Sequence, residues 1–391
     1  MRFRHADGTV VHLGYCANVH PVEDIEGVLA QLAVYAEPVR RLLAADRLGL
    51  GLWLARDVAA GLAAEPAAVA RLRAELDARG LEVVTLNGFP YSGFGDAAVK
   101  YRVYSPDWSD RRRAEYTADL ATVLAGILPA DAVRGSISTL PLGWREPWPA
   151  VAQYAARSHI DAVGAHLAEL TARTGTVIRV GFEPEPGCVI ERTDQAIELL
   201  TGLDPSHFGV CIDTAHLAVA HEEPAHALKA LRDAGLPIVK VQASAALEAP
   251  QPDDAATRAA LARFAEPRYL HQTREAGAGG LALLGTDDLD EALSGDTLPA
   301  DASWRVHFHI PLHAEIEAPL TGTHDVLTRT LTEGFSGTPF TDHIEVETYT
   351  WQVLPEEERP RDARELARGI AAEMAWARRE LVAAGLSEVS W

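Results

Sequence analysis

The feature that most constrains the fold is a regular alternation of short apolar segments with longer amphipathic ones. Several short segments, such as residues 48–54 and 208–212, are almost continuously apolar or β-branched, which is typical of strands buried on both faces. The longer segments, such as residues 23–44, repeat apolar residues at helical spacing. This alternation predicts βαβ units and a parallel sheet, so the fold class is α/β.

The number and spacing of the strands indicate a (β/α)8 TIM barrel. The candidate strands lie at residues 10–17, 48–54, 81–87, 133–139, 176–182, 208–212, 237–243, 304–310 and 343–348. A closed barrel needs eight strands, and the surplus falls late in the chain, where the alternation breaks. We therefore predict a single barrel domain over residues 1–391. Residues 244–341 are then an elaborated connection between strands seven and eight, with a helix and a strand of its own.

Composition and charge exclude several classes of function. The chain has 35 Lys and Arg against 56 Asp and Glu, a formal net charge of −21. This acidic balance disfavours nucleic acid and anionic membranes as partners, because both attract basic surfaces. The cysteines are too few and too irregularly spaced for a disulfide framework, and we find no signal peptide or membrane-spanning segment. We expect a cytoplasmic protein that acts on a small molecule.

Acidic residues collect at the carboxyl ends of the predicted strands, where (β/α)8 enzymes have their active sites. Glu183 follows strand five, Asp213 follows strand six, and Glu347 lies at the end of strand eight. Carboxylates that meet at one rim repel each other and take up protons unless a cation lies among them. Together with histidines they would form a shell for a divalent ion.

Each acidic residue also has a simpler interpretation. Glu183 could form an ion pair with Arg192, and Asp213 could cap the helix that follows it. His216, on the same strand-to-helix turn as Asp213, could be an interior histidine with satisfied hydrogen bonds. The acidic residues and His216 taken together favour a metal site more than any one of them does alone.

The late strands carry two further pairs at a spacing of two residues. His307 and His309 lie on one face of their strand, although an exposed strand would show the same alternation. Glu345 and Glu347 likewise lie on one face of their strand, and an exposed strand would again show the same alternation. We prefer Glu347 as the ligand because it lies nearer the carboxyl end of its strand.

Neutral polar and aromatic residues near strand ends suit a sugar-like ligand. Asn18, Asn87 and Gln242 could bind hydroxyl groups, although asparagine is also common in turns. Tyr91 could belong to an aromatic wall over a ring-shaped substrate, although core packing is the commoner role of such residues. The other members of this wall would be Phe94, Trp108, Trp144 and Trp351.

Several motifs together resemble a known superfamily. Phe-Glu-Pro-Glu-Pro-Gly at 182–187, Cys-Ile-Asp-Thr-Ala-His at 211–216 and Val-Glu-Thr at 346–348 resemble the xylose-isomerase-like TIM barrels. That superfamily contains sugar isomerases, epimerases, inosose dehydratases and endonuclease IV enzymes. Nearly the whole chain also resembles the EboE family of metabolite-traffic proteins. This second resemblance lies in Gly-Tyr-Cys-Ala-Asn-Val-His-Pro at 14–21, Val-Tyr-Ser-Pro-Asp-Trp at 103–108, His-Phe-His-Ile-Pro-Leu-His at 307–313 and Glu-Val-Glu-Thr-Tyr-Thr-Trp at 345–351.

The superfamily resemblance implies a divalent metal ion (Zn, Mn or Mg) held by residues of strands five to eight. Strand seven departs from the pattern, because it offers Lys240 and Gln242 where the family has a histidine. The endonuclease branch takes further ligands from the connection after strand seven, so His309 is the candidate replacement. The implied metal ligands are Glu183, Asp213, His309 and Glu347.

The implied activity is that of a metal-dependent isomerase, epimerase or dehydratase acting on a polyol, keto-sugar or cyclitol. Glu183 and Glu347 would act as general base and general acid. His216 would orient a hydroxyl or complete the metal shell. Lys240 would stabilise an enediolate, or its positive charge would partly replace the metal. His307 joins the substrate-binding residues. The EboE resemblance implies a secondary-metabolite pathway, with other proteins of that pathway as partners.

Two alternatives remain open. The missing histidine of strand seven favours a catalytically inactive barrel that binds a metabolite or hands it on. An endonuclease IV-like phosphodiesterase is the third interpretation, and the net charge of −21 disfavours it.

Overall fold

The protein folds into a closed barrel of parallel strands surrounded by helices, with a second sheet over one end. The computed structural model describes residues 1–277, 279, 282–295 and 297–389. The strands are β1 Arg2–Arg4, β2 Val10–Cys16, β3 Leu48–Trp53, β4 Leu81–Asn87, β5 Arg134–Thr139, β6 Val177–Phe182, β7 Phe208–Asp213, β8 Ile238–Ala243, β9 Ala246–Ala249, β10 Thr273–Ala276, β11 Leu283–Thr286, β12 Trp304–His309, β13 Thr321–Gly322, β14 His343–Val346 and β15 Ser387–Glu388.

The helices lie outside the barrel and in the connection before β14. They are α1 Ile25–Gln31, α2 Glu37–Leu42, α3 Arg56–Ala64, α4 Pro66–Ala78, α5 Arg111–Ile127, α6 Ala150–Thr174, α7 Thr193–Leu200, α8 Thr214–Val219, α9 Pro224–Asp233, α10 Ala255–Leu261, α11 Leu289–Ser294, α12 His324–Phe335 and α13 Ala363–Ala383. A π-helical stretch, Leu32–Ala36, joins α1 to α2. Among the described residues, no helix is both long and apolar enough to cross a membrane.

The predicted barrel is confirmed. Strands β2 to β8 pair in chain order, and β14 closes the barrel by pairing in parallel with both β8 and β2. The barrel strands are almost entirely buried, which explains their continuous apolar sequences. The short strand β1 pairs antiparallel with β2 and extends the sheet beyond the barrel.

The ninth predicted strand belongs to a second sheet. Residues 304–310 contain β12, the middle strand of an antiparallel sheet in the order β11-β10-β12-β9-β13. The described part of the connection also contains α10, α11 and α12, so it holds more structure than the one helix and one strand that the sequence indicates. Strands of two to four residues, such as β9 and β13, are too short to produce a recognisable alternation.

The barrel interior below its carboxyl end contains a buried ion pair. The Lys240 ammonium of β8 donates to the Glu345 carboxylate of β14, and both side chains are fully buried. Gly51 of β3 faces this pair, and a Cβ built on it would lie 1.4 Å from Glu345 Oε1. The interior therefore requires glycine at this position.

Candidate metal centre and active site

A cavity opens at the carboxyl ends of the barrel strands, between the barrel and the second sheet. Its empty volume, including the open mouth, is about 530 Å³, which lies in the range of small-molecule sites. The predicted site residues that line it are Asn18, Asn87, Glu183, His216, His307, His309 and Glu347.

Asp213 has both of the roles that its sequence position left open. Its Oδ1 caps α8 by accepting from the backbone N–H groups of Ala215 at 2.8 Å and His216 at 2.9 Å. The Ser244 hydroxyl donates to the same oxygen at 2.7 Å. Its Oδ2 is buried and has no hydrogen-bond partner among the described residues. The cap therefore fixes the carboxylate so that its second oxygen remains available to a ligand.

Glu183 and Glu347 are buried carboxylates that come from strands not adjacent in the barrel. Glu183 directly follows β6 and Glu347 directly follows β14, and they are 3% and 5% exposed. Burial, with the charges of Glu347 and Asp213, raises the pKa of Glu183 well above its ordinary value. Burial, with the charges of Asp213 and Glu345, raises the pKa of Glu347 to about 8. In the protein alone, both carboxyls can therefore hold protons near neutral pH.

Two asparagines hold the Glu347 carboxylate in place. The side-chain amides of Asn18 and Asn87 donate to Glu347 Oε1 at 2.5 and 3.0 Å. Asn87 Oδ1 in turn accepts from the backbone N–H of Phe89 at 3.1 Å, which fixes the orientation of its amide. Both asparagines line the cavity, and each uses one amide N–H on Glu347. Their observed contacts orient this carboxylate.

The histidines complete the cluster from two different elements. His309 of β12 has its Nε2 3.9 Å from Asp213 Oδ2. His216 of α8 lies 4.0 Å from both Glu183 Oε1 and Asp213 Oδ1. Burial is the main cause that lowers the pKa of His216 to about 4, so this ring is neutral near pH 7. His307 lies on the same face of β12 as His309, and both line the cavity.

The donor atoms of this cluster fit a divalent cation. Ligand atoms of Asp213, His309 and Glu347 lie within 4.8 Å of one another, and so do those of Glu183, Asp213 and His216. Glu183 Oε2, Asp213 Oδ2 and His309 Nε2 are buried without a hydrogen-bond partner in the described part of the chain. Buried acceptors of this kind are costly unless a cation or proton satisfies them. Carboxylate oxygens and imidazole nitrogens are suitable ligands for such an ion.

Besides Asp213, three of the predicted site residues lie outside the cavity lining. Lys240 is bound by Glu345 in the barrel interior. Gln242 is also fully buried in the barrel, and neither of its amide atoms has a partner among the described residues. Tyr91 packs edge-on against Tyr116, away from the cavity.

The predicted aromatic wall is mostly replaced by other rings. Of its other members, only Phe94 lines the cavity, whereas Trp108 is fully buried in the core. The aromatic lining comes instead from residues that the sequence analysis did not select. They are Phe89, Tyr104, Tyr269 and Tyr349. Their positions depend on loops and on the connection, so sequence periodicity gave no sign of them.

The sequence-based site prediction also left out Glu185, a further carboxyl in the cavity. Glu185 lines the cavity, and its Oε1 accepts from the Tyr104 hydroxyl at 2.7 Å. Burial is the main cause that raises the pKa of Glu185 to about 8. Its signal was present in the Phe-Glu-Pro-Glu-Pro-Gly motif, because residues two apart on an extended segment can share a side with Glu183.

Fold and site together define a (β/α)8 protein with carboxylates and histidines clustered at the carboxyl end of its barrel. Residues 48–254 match the family model of the xylose isomerase-like TIM barrels, and the chain belongs to this family. A comparison with curated protein sequences finds no significant match.

Solved structures of low sequence identity resemble this chain to different degrees. A proposed sugar phosphate isomerase/epimerase from Anabaena variabilis is 15% identical, with 96% of this chain and 99% of that chain covered and a TM-score of 0.52. A D-psicose 3-epimerase from Clostridium cellulolyticum H10, solved with D-tagatose, is 13% identical, with 95% and 99% covered and a TM-score of 0.49. A 3-keto-D-glucoside 4-epimerase from E. coli is 14% identical, with 94% and 99% covered and a TM-score of 0.45. At 15% identity, the likeness to the Anabaena structure concerns the fold alone.

Proposed function

We propose that this protein is a metal-dependent isomerase or epimerase, or a dehydratase, that acts on an uncharged keto-sugar, polyol or cyclitol. The placement of Glu183 and Glu347 carries the proposal. Both are buried, both line one cavity, and each has a carboxylate oxygen within 4.8 Å of an Asp213 oxygen. Two proton-holding groups beside a candidate cation site suit the removal and return of a proton next to a carbonyl.

Four residues of the cluster would hold the divalent ion. They are Glu183, Asp213, His309 and Glu347, as the family resemblance implies. Such an ion, when bound, supplies polarisation of substrate carbonyl and hydroxyl oxygens. The unpartnered atoms Glu183 Oε2, Asp213 Oδ2 and His309 Nε2 support this assignment.

The two glutamates would move the proton. One of them removes a proton from the carbon beside the substrate carbonyl, and the other returns a proton to the resulting enediolate. Asn18 and Asn87 hold Glu347 Oε1, so Glu347 Oε2 is the oxygen left to face the substrate. The Nδ1–H of His216 donates to the Pro184 carbonyl at 2.9 Å, which leaves Nε2 for a hydroxyl or an ion. We leave Lys240 out of this reaction, because Glu345 already binds it.

The charge around the cavity favours an uncharged substrate. Glu183, Glu185 and Glu347 all line it. Among the described lining residues, Lys100 is the one lysine or arginine, and its ammonium is bound by Asp288. A phosphorylated sugar would meet carboxyl groups without a free cationic side chain to bind it.

The biological setting is proposed on the resemblance of the sequence motifs. We infer that the chain belongs to the EboE family and serves a secondary-metabolite pathway in the cytoplasm, alongside other proteins of that pathway. We also treat residues 1–391 as one barrel domain with an insertion at 244–341.

Solvent-hydrogen exchange tests the proposed reaction. Metal-loaded protein is incubated in D2O with a panel of keto-sugars and cyclitols, and deuterium incorporation beside the carbonyl is followed by NMR. We expect Glu183→Gln and Glu347→Gln each to lower the exchange rate about 10²–10⁴-fold. Glu373→Gln is the matched control, because Glu373 is a buried glutamate that accepts from Leu312, Thr348 and Trp351 away from the cavity. Full exchange in Glu183→Gln would contradict the mechanism.

A second candidate function is that of a binding protein on an inactive barrel. It is favoured by Gln242, which occupies strand seven, where the family has a metal-binding histidine. In that case a sugar or cyclitol would bind to the cavity and protect the protein against thermal unfolding. No deuterium would then enter the bound compound, and metal loading would not change its affinity.

A further inference from the structure

The candidate cavity has a polar floor and an apolar wall. The floor is formed by Glu183, Glu347 and the histidines beside them. The apolar wall consists of Phe94, Val99, Val103, Tyr269 and Leu270. These five residues belong to two segments outside the barrel strands, namely the loop between β4 and α5 and the part of the connection between α10 and β10. One cavity therefore offers a substrate two surfaces of different chemistry.

Tyr349 connects the floor to the apolar wall. Its ring centroid lies 4.8 Å from that of His309, and 4.9 and 5.7 Å from those of Tyr269 and Phe94. The rings of Phe94 and Tyr269 contact each other, with their centroids 5.3 Å apart. The wall therefore begins where the cluster of carboxylates and histidines ends, so a ligand bound to the floor can reach it directly.

The two segments of the wall are joined by backbone hydrogen bonds. The N–H groups of Val99 and Lys100 donate to the Arg268 carbonyl at 2.7 and 2.9 Å. The Glu266 carboxylate accepts from the backbone N–H of Tyr269 at 2.9 Å, which holds the connection in place. The wall is therefore formed before a ligand binds, and little conformational entropy is lost when a group packs against it.

The wall is poorly suited to binding hydroxyl groups. Phe94, Val99, Val103 and Leu270 have no polar side-chain atom. The Tyr269 hydroxyl already donates to the Phe94 carbonyl at 3.4 Å. A sugar hydroxyl placed against this wall would lose most of its hydrogen bonds to water without replacement, which is costly. An alkyl or aryl group would instead be stabilised there by leaving water.

Polar side chains next to the wall are bonded to other protein groups. The Tyr104 hydroxyl donates to Glu185 Oε1 at 2.7 Å and accepts from Gln272 Nε2 at 2.8 Å. The Lys100 ammonium is bound by Asp288. These contacts hold the loop after β4 in place and leave the wall itself apolar.

We propose that the substrate carries an apolar substituent, an alkyl chain or an aryl ring, beside the oxygenated part that binds to the floor, and that the wall binds this substituent. The inference rests on the proposed function, because it describes the substrate of that site. Stacking of aromatic rings on the C–H face of an unsubstituted sugar would account for Phe94 and Tyr269. It would not account for Val99, Val103 and Leu270, which have no ring.

A homologous series of ligands tests the proposal by binding alone. myo-Inositol and D-fructose are each compared with their methyl, propyl, pentyl and benzyl monoethers, substituted at each oxygen in turn. Isothermal titration calorimetry with the Zn²⁺-loaded full chain measures the dissociation constants. At the best position, we expect affinity to rise about fourfold per methylene group, or about 10²-fold from methyl to pentyl. Equal affinities across the series, or no binding of any compound, would overturn the proposal.

Variants of the wall show whether it is the surface that binds the added group. Leu270→Ala should reduce the methyl-to-pentyl rise in affinity about tenfold. Val99→Thr, which keeps the shape of the side chain but adds a hydroxyl, should also reduce it. Leu236→Ala is the matched control, because Leu236 and Leu270 are both 6% exposed but Leu236 lies just before β8, at the amino end of the barrel.

An undiminished rise in affinity in both wall variants would place the substituent elsewhere and overturn the proposal. If Leu270→Ala failed to fold, Val99→Thr would decide alone. A rise in affinity with chain length, but no deuterium exchange in any compound, would support the apolar substituent and contradict the proposed reaction. Exchange in the unsubstituted compounds without such a rise would contradict only the apolar substituent.

Discussion

Two buried clusters of charged residues in the barrel differ in how their charge is balanced. In the interior, the Lys240 ammonium binds the Glu345 carboxylate. At the carboxyl end, Glu183, Asp213 and Glu347 lie together, and in the described part of the chain none of them forms an ion pair with a lysine or arginine. The interior pair supplies its own counter-charge, whereas the mouth cluster needs a proton or a cation from outside.

This difference separates a structural cluster from a functional one. A buried ion pair is retained only if both partners remain, because a single buried charge is costly. A group of ionised carboxylates without a cationic side chain destabilises the fold, so a proton, an ion or a substrate has to compensate for it. The following experiments measure the contrast, from the largest expected effect to the smallest.

Removing one partner of the interior pair should have the largest effect on stability. We expect Glu345→Gln to lower the free energy of unfolding by about 3–5 kcal/mol, because Lys240 would remain buried without its partner. Urea denaturation of this variant beside Glu347→Gln measures the contrast, and Glu347→Gln should change stability much less in metal-free protein. Equal losses in the two variants would show that the clusters do not differ in this way.

Added metal should stabilise the fold through the carboxylates at the barrel mouth and not through the Lys240–Glu345 pair in the interior. At a free Zn²⁺ concentration 100 times the dissociation constant, the gain in unfolding free energy should be about 2.7 kcal/mol for one site. Thermal unfolding with and without Zn²⁺ measures it. Asp213→Asn should lose most of this gain, whereas Lys240→Met/Glu345→Leu should retain it. A gain that survives Asp213→Asn would place the ion elsewhere.

The mouth carboxyls should make the metal-free protein less stable as the pH rises. The pKa of Glu347 is about 8 in the fold against 4.5 ordinarily, so between these values the folded state binds more protons than the unfolded state. Stability therefore falls with rising pH across this window. Lowered histidine pKa values act in the opposite direction below pH 6.5, and the pKa of the buried Met1 amine, lowered to about 6, does so up to pH 8. The range pH 6.5–8 is therefore informative only when wild type and variant are compared.

Substitution isolates the contribution of Glu347 to this slope. Over pH 6.5–8, Glu347→Gln should reduce the decline in unfolding free energy by at most about 1.4 kcal/mol per pH unit. Urea denaturation of wild type and variant at four pH values, in the presence of a chelator, provides the comparison. The two slopes should converge when Zn²⁺ is added. If the unfolding free energy declined more steeply with pH in the variant than in the wild type, the expected effect of Glu347 would have the wrong sign.

The smallest effect should come from the asparagines that orient Glu347. Asn18→Ala removes one hydrogen bond to Oε1 and should cost about 1 kcal/mol of stability. Because Asn87 still holds the same oxygen, the exchange rate should fall less than it does in Glu347→Gln. Asn18→Asp should lower stability more than Asn18→Ala does, since it adds a fourth carboxylate to Glu183, Asp213 and Glu347. An asparagine role limited to turn geometry would leave the pH profile of exchange unchanged in both variants.

Sequence periodicity located the barrel because its physical signal is strong. Strands such as β3 and β7 are buried on both faces and therefore consist of continuous apolar runs. The second sheet was represented by β12 alone, since its other strands have two to four residues. Their existence depends on pairing between segments distant in the chain, which single-segment patterns do not report.

The candidate site was predicted where residues lie at strand ends, and missed where loops bring residues in. Glu183, Asp213 and Glu347 come to one mouth because all parallel strands of a barrel share one carboxyl end. Glu185 and Gln272 enter through loops, so only the folded chain reveals their contacts. Lys240 was assigned to the reaction from its strand position, but its buried partner Glu345 became visible only when β8 and β14 were seen to be neighbours.

The sequence by itself determined the barrel and the strands that deliver acidic residues to its mouth, because burial and chain direction act locally along each strand. Only the tertiary structure decided which polar groups satisfy one another. It assigned Lys240 to Glu345, the asparagine amides to Glu347, and one oxygen of Asp213 to a helix cap. The reason is physical: a hydrogen bond or ion pair depends on atoms within a few ångströms, and those atoms belong to residues that lie far apart in the chain.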